Sequence, residues 1–238
     1  MLIITEIYGY NNARVKAYID PNNFIITRKR KKYKFAKFHN APNCFEFDEW
    51  KSQSVDCIEI GAGTGLFALE LARRHPEWRV VAVDVKADRL QFGACQALEQ
   101  GISNISFVRA RADQVSEIVS PHTASAVWLT FSDPFPRKRS AGRRMTHATF
   151  LAWYREILHT DGLLYIKHDN PDFFAWSLEQ LVANHWQIDE LVFDLHESTL
   201  SDEYKILTSY ETRWLDEGRV TSFVCASPIT RQTDRHLS

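Results

Sequence analysis

The chain reads as an α/β protein built on a doubly wound, mostly parallel, seven-stranded sheet. Three observations predict this. From Val55 onward, short apolar runs alternate with stretches of helical spacing, and continuous apolarity marks strands buried on both faces. The connections between them are short, as successive β-α units require. Finally, a glycine loop after Ile60, and Asp84, Asp133 and Asp169, all fall at the carboxyl ends of predicted strands. Doubly wound sheets bind their ligands at that edge.

The elements follow in order. Val55–Ile60 is an apolar run that ends in glycines and reads as the first strand. Leu66–His75 carries Leu66, Leu69, Leu71 and Ala72 at helical spacing and stops at Pro76. Arg79–Asp84 is the second strand, and Ala87–Gln100 is a helix closed by Gly101. Ile105–Arg109 is the third strand, followed by a short helix at Val115–Val119. Ala126–Phe131 is the fourth, Thr149–His159 a helix, Leu163–His168 the fifth strand, and Asp172–Asn184 the next helix. Gln187–Leu195 and Val220–Ser227 close the sheet. Residues 1–50 are polar, aromatic and basic with weak periodicity, and read as an N-terminal arm; 51–230 form the domain and 231–238 a tail.

The 238 residues carry a net charge of -1, which excludes a uniformly basic surface. Any nucleic-acid contact must use local patches. The charge is uneven in that sense: Arg28 to Lys37 holds seven cations and no acid, while Asp189 to Glu217 holds nine acids against Lys205 and Arg213. Cys44, Cys57, Cys95 and Cys225 form no C-x-x-C pair. This speaks against a zinc site or a disulfide framework and for reduced thiols. The first twelve residues lack a cationic lead, contain Glu6, and are too briefly apolar for a signal peptide or membrane span. A cytoplasmic protein with no metal and no membrane partner is expected.

Glu59-Ile60-Gly61-Ala62-Gly63-Thr64-Gly65 leaves the first strand and opens a helix. Glycines there let backbone approach a ligand, although a tight strand-to-helix turn needs them too. No Lys-Ser/Thr follows, so this is not a phosphate-cradling P-loop. The E-x-G-x-G-x-G form resembles motif I of S-adenosylmethionine methyltransferases. That resemblance implies S-adenosyl-L-methionine as cofactor, with Gly61, Gly63 and Gly65 at its binding loop and Glu59 facing its cationic methionine end. Asp84 then either accepts from the ribose hydroxyls or caps the next helix; the preceding loop and strand favour the ribose. Asp113 either accepts from the adenine amino group or caps the helix from Val115.

Asp133 stands in Phe131-Ser132-Asp133-Pro134-Phe135-Pro136, with Arg137, Lys138, Arg139, Arg143 and Arg144 just beyond. Proline fixes its own φ and biases the preceding residue to extended geometry, so the acid points in a defined direction. This stretch closely resembles the S/P-DPWP-K-x-R-H-x-K-R-R signature of the bacterial tRNA (guanine-N7)-methyltransferase family. Lys167-His168-Asp169-Asn170 is similar to its K-T-D-N, Asp194-Leu195-His196 to its D-L-H, and Thr208-Ser209-Tyr210-Glu211 to its T-x-[FY]-E. Four motifs agree in order, over roughly Arg28 to Ala226.

The resemblance implies a Rossmann-like class I methyltransferase domain acting on N7 of a guanine in the variable loop of tRNA. It places Glu59, Asp84 and Asp133 at the cofactor or the reaction centre, with Asp133 catalytic. It assigns the substrate guanosine to Arg137, Asp169, Thr208, Ser209, Tyr210 and Glu211. Arg139, Arg143, Arg144 and the Arg28–Lys37 arm would meet tRNA phosphates. The chain departs from the pattern at Phe135 for tryptophan, Arg137 for lysine, Ser140-Ala141-Gly142 for a histidine-rich stretch, and Arg111 where an acid is usual. Residues 1–27 match nothing in it. Thr208 to Glu211 also reads as a capping box, and Asp169 as turn chemistry before Asn170-Pro171. His168 and Trp128, Trp153, Trp176 and Trp186 read as packing residues. The competing readings are a methyltransferase for another RNA base or a small molecule, and a silent tRNA-binding module of the same fold.

Overall fold

A computed structural model describes residues 16–229 apart from Thr27, Ser209 and Asp216. The expectations for residues 1–15, Ser209 and the tail fall outside these described residues. The strands are β1 (Cys44–Glu46), β2 (Cys57–Ile60), β3 (Val80–Asp84), β4 (Ile105–Arg109), β5 (Ala124–Thr130), β6 (Leu158–His168), β7 (Trp186–Val192) and β8 (Ser222–Pro228). The helices are α1 (Lys29–Asn40), α2 (Leu66–Arg74), α3 (Ala87–Glu99), α4 (Val115–Ile118), α5 (Ala148–Ile157), α6 (Pro171–Ala183) and α7 (Glu211–Leu215).

The strands form one sheet in the order β1-β4-β3-β2-β5-β6-β8-β7. β1 to β6 pair in parallel, and β8 runs antiparallel to both β6 and β7. The order reverses at β2, between β3 and β5, which creates the crevice expected of a doubly wound sheet. Strand side chains alternate between two cores. Ile58, Ile60, Val81, Val83, Val127 and Leu129 face α4, α5 and α6, while Cys57, Val80, Ala82, Ala126 and Trp128 face α1, α2 and α3.

Among the described residues the sheet has eight strands rather than the seven expected. The extra one is β1, whose Cys44 and Phe45 are buried against β4. Three residues between Pro42 and a glutamate are too few to register as an apolar run. The segment before it, read from the sequence as an N-terminal arm, carries a packed helix. α1 packs on α3, with Ala36 and Phe38 buried and Phe35 partly so, while Arg28, Arg30, Lys31, Lys34 and Lys37 are exposed. The cations hid a short apolar stripe.

Among the described residues no helix is long and apolar enough to cross a membrane, and the four cysteines are free.

Candidate active site

Glu59 lies on β2, 1% exposed. Its Oε1 accepts from the Thr130 hydroxyl at 2.6 Å and its Oε2 from the Ala68 amide at 3.1 Å. The acid is thus fixed between the end of β5 and the first turn of α2. Burial pushes its carboxyl up to about 7, against the opposing pull of those two hydrogen bonds.

The glycine loop runs from Gly61 to Gly65 with φ of 78°, 58° and 70° at its three glycines. Their tasks differ. A side chain at Gly63 would meet nothing within 4 Å, so the backbone there is open to a ligand. A Cβ at Gly65 would stand 2.6 Å from Phe107, so that glycine serves packing. Asp84, ending β3, accepts from the Gly63 amide at 2.9 Å and from the Lys86 amide at 2.8 Å. It makes no side-chain cap on α3. Each oxygen keeps a lone pair free for a hydroxyl.

Two clefts open around this loop and share Gly61, Arg89 and Phe131. One, about 320 Å³, is walled by Glu59, Gly63, Thr130, Thr208, Tyr210 and Arg213. The other, about 160 Å³, is walled by Asp84, Val85, Ala110, Ala112, Asp133 and Met145. Asp113 is not brought into it. Its carboxylate receives Nε and Nη2 of Arg111 at 2.8 and 2.9 Å, which hold it below the usual carboxylate range. Nor does it cap α4, whose start has no side-chain cap.

Asp133 is exposed and makes no hydrogen bond or ion pair among the described residues. The backbone leading into it, by contrast, is tethered twice. The Phe131 amide donates to the Lys167 carbonyl at 2.9 Å. His168 Nε2 donates to the Ser132 carbonyl at 2.8 Å, while its Nδ1 accepts from the Asn170 amide. Burial holds that imidazole neutral by lowering its pKa, so His168 is a strut. Phe131 and Phe135 flank the acid at φ of 50° and 39°, left-handed settings that residues other than glycine seldom adopt. Arg137, Lys138 and Arg139 stand exposed without ion pairs among the described residues, whereas Arg143 lies 4.3 Å over the Phe135 ring.

The downstream motifs converge on one buried carboxylate. Glu211 Oε2 accepts from Lys167 Nζ at 2.8 Å and from the Thr208 amide at 3.1 Å. Its Oε1 accepts from His196 Nε2 at 2.7 Å and the Thr221 hydroxyl at 3.1 Å. The Glu211 amide in turn donates to Thr208 Oγ1 at 3.0 Å, completing the capping box. Four donors leave Glu211 engaged within the protein. Its neighbour Tyr210 faces outward, with its hydroxyl 3.3 Å from Asp169 Oδ2 and its ring 5.2 Å from Phe131. Asp169 also pairs with Arg219 at 3.2 Å.

Comparison with known proteins gives this arrangement a lineage. Residues 53–223 match a family model described as a putative methyltransferase. The tRNA (guanine-N(7)-)-methyltransferase of Brevibacillus brevis is 38% identical over 174 residues, 73% of this chain and 81% of the relative. That of Bacteroides thetaiotaomicron is 31% identical, covering 80% of this chain and 82% of its own. The chain belongs to the tRNA (guanine-N(7)-)-methyltransferase family. Among solved structures, the 16S rRNA methyltransferase KamB superposes with a TM-score of 0.58 at 14% identity, covering 77% of this chain and 93% of that one. A mutant of the 16S rRNA (adenine(1408)-N(1))-methyltransferase from Catenulisporales acidiphilia, solved with its cosubstrate SAM, superposes with a TM-score of 0.53 at 16% identity, covering 92% and 95%. At such identities these two establish the fold.

The clefts fit the cofactor of such a methyltransferase. The open backbone at Gly63, an acid at the end of β3, and a buried acid beside the larger cleft suit an adenosine joined to a cationic sulfonium amino acid. Glu59 supplies a pH test. Its folded-state pKa of about 7 stands above the ordinary 4.5. The stability it contributes is therefore full below about pH 4.5 and is lost as pH rises through about 7. A bound cation reverses the preference, favouring the carboxylate. S-adenosylmethionine is expected to bind with proton release near pH 6 to 7, read by calorimetry in buffers of different ionisation heat. Glu59→Gln should abolish the release; its persistence there would place the proton elsewhere.

The family's motifs pointed to most of these residues but missed three. Thr130 holds Glu59, Arg89 lines both clefts, and Gly93 admits the loop. A Cβ on Gly93 would fall 2.3 Å from the Thr64 carbonyl. A lone glycine inside a helical pattern was the available signal for the last.

Proposed function

We infer that this chain transfers the methyl group of S-adenosylmethionine to N7 of a guanine in tRNA. The observation that carries the reading is the position of Asp133. A carboxylate with no partner among the described residues borders the cofactor-shaped cleft, and Arg137, Lys138 and Arg139 stand exposed directly beyond it. A small substrate has no use for that cationic rim.

The cofactor supplies an electrophilic methyl on a sulfonium. Guanine N7 carries an in-plane lone pair and attacks without losing a proton, so the chain needs no strong base. Its residues position the base in line and favour the positive charge the purine acquires. Asp133 suits that task by facing the N1 and N2 donors of the guanine. Asp169 already accepts from Tyr210 and Arg219, and so suits holding the Tyr210 wall. Drawing the base out of its stack costs about a few kcal/mol, which interactions with the RNA backbone offset.

Those interactions extend to α1. Arg109, at the end of β4, lies 5.4 Å from the Phe35 ring, and Arg30, Lys31 and Lys34 are exposed just before Phe35. Replacing Arg30, Lys31 and Lys34 together with alanine should weaken tRNA binding. The slope of log affinity against log salt should flatten by roughly 0.7 to 0.9 for each phosphate left unneutralised. An unchanged slope in filter-binding titrations would take α1 off the RNA. Deleting the chain through residue 37 is a poorer test, because it removes buried Ala36.

The activity itself is tested with labelled S-adenosylmethionine and total tRNA from a strain lacking the modification, followed by nucleoside analysis. Label in 7-methylguanosine is the expected result, and fragment mapping should place it in the variable loop. Label in another nucleoside would favour a different target base, and none would favour a silent binding module. A tRNA substrate and free thiols fit a cytoplasmic protein.

A further inference from the structure

The family resemblance groups Arg144 with the cations that meet RNA, yet its guanidinium is committed within the fold. Nε and Nη2 both donate to the Phe135 carbonyl, at 3.3 and 3.1 Å. The group also lies 4.4 Å over the ring of Trp176 on α6. The next two residues extend the attachment. Met145 Cε reaches to 3.1 Å from where a Cβ on Gly61 would be. Thr146, wholly buried, has its hydroxyl 2.8 Å from that of Ser177, the residue after Trp176. Arg144 therefore ties the Asp133 turn to α6, while Thr146 anchors the segment after it to the same helix and Met145 lays that segment against the glycine loop.

We propose that Arg144 is a positioning residue for methyl transfer, acting through the Phe135 carbonyl to set Asp133 over the cleft. The backbone explains why such a group is needed. Phe135 is held at φ of 39°, a setting that persists only when its surroundings enforce it. That conformation is matched by a fork aimed at its carbonyl. Arginine can give two N–H groups to one oxygen while laying its face on an indole; lysine cannot do both. α6 also begins at Pro171, directly after Asp169 and Asn170. Arg144 thus couples the turn bearing Asp133 to the helix that follows Asp169.

This inference rests on the N7 methyl-transfer reading. The test compares wild type, Arg144→Ala, Arg144→Lys and Trp176→Leu by single-turnover rate at saturating S-adenosylmethionine and tRNA, and by tRNA affinity across salt concentrations. Arg144→Ala should slow the saturated rate by about 100-fold, the cost of a misplacement on the scale of an ångström. Its salt slope should remain that of wild type. Arg144→Lys, which keeps the charge, should stay slow, and Trp176→Leu should be slowed without any change of charge. A salt slope flatter by roughly 0.7 to 0.9 in Arg144→Ala, with a wild-type saturated rate, would make Arg144 a phosphate contact and overturn the proposal. If Arg144→Ala does not fold, wild-type rates in both Arg144→Lys and Trp176→Leu overturn it equally. Should wild type label a nucleoside other than 7-methylguanosine, the N7 reading fails, while the same rates still decide the part played by Arg144.

Discussion

Asp133→Asn is expected to lower the single-turnover rate of methyl transfer by about 100- to 1,000-fold, the range seen when one group aimed at developing charge is removed. The substitution keeps the shape of the side chain and deletes its charge. Asp133 bonds to no neighbour among the described residues, and its turn is held by the Lys167 carbonyl, His168 and Arg144. The fold should therefore be indifferent to the change, and thermal unfolding should match wild type. Affinity for tRNA should stay nearly intact, because phosphate contacts supply most of it. Loss of tRNA binding with normal turnover of the bound fraction would contradict this assignment. At saturating S-adenosylmethionine the rate should also lack a dependence on a basic group near neutrality, since N7 needs no deprotonation.

Lys167→Met should be the most destabilising single change near the site. Lys167 is 0% exposed and its ammonium donates to Glu211 and to the Ile206 carbonyl, each at 2.8 Å. Burial lowers the lysine pKa, with the Glu211 carboxylate pulling the other way. Removing the cation leaves that carboxylate buried without it, at a cost of about 3 to 5 kcal/mol. For a chain of this size the unfolding midpoint should fall by about 10 °C. Adding Glu211→Gln should recover much of the loss, because the uncompensated charge disappears. A double variant no more stable than the single would show that the two groups are not coupled.

How much of this was legible in the sequence depends on range. β2, β3 and β4 could be read almost to the residue because strands covered on both faces leave unbroken apolar runs. β1 and α1 could not: β1 is three residues long, and the stripe of Phe35, Ala36 and Phe38 is diluted by the cations around it. At the site, Glu59, Asp84 and Asp133 were visible through their places at or just beyond the carboxyl ends of strands. The four-donor shell of Glu211 was not, since Lys167, His196 and Thr221 come from separate elements. Nor was the division between Arg144 and its exposed neighbours. One-dimensional charge does not say which guanidinium is turned onto an indole.

The antiparallel course of β8 has a directional consequence. Along β2 to β6 every segment at the ligand edge departs from a strand that has just ended. β8 alone starts there, with Ser222 opposite His168. Tyr210 and Arg219, which precede β8, are thereby kept at the rim. Written as one more parallel strand, the same segment would precede its strand at the far edge, and Tyr210 and Arg219 would lie a full sheet-height from Asp169. The reversal of a single strand thus gives one rim two opposed walls, one grown outward from the glycine loop and one returning inward to meet it.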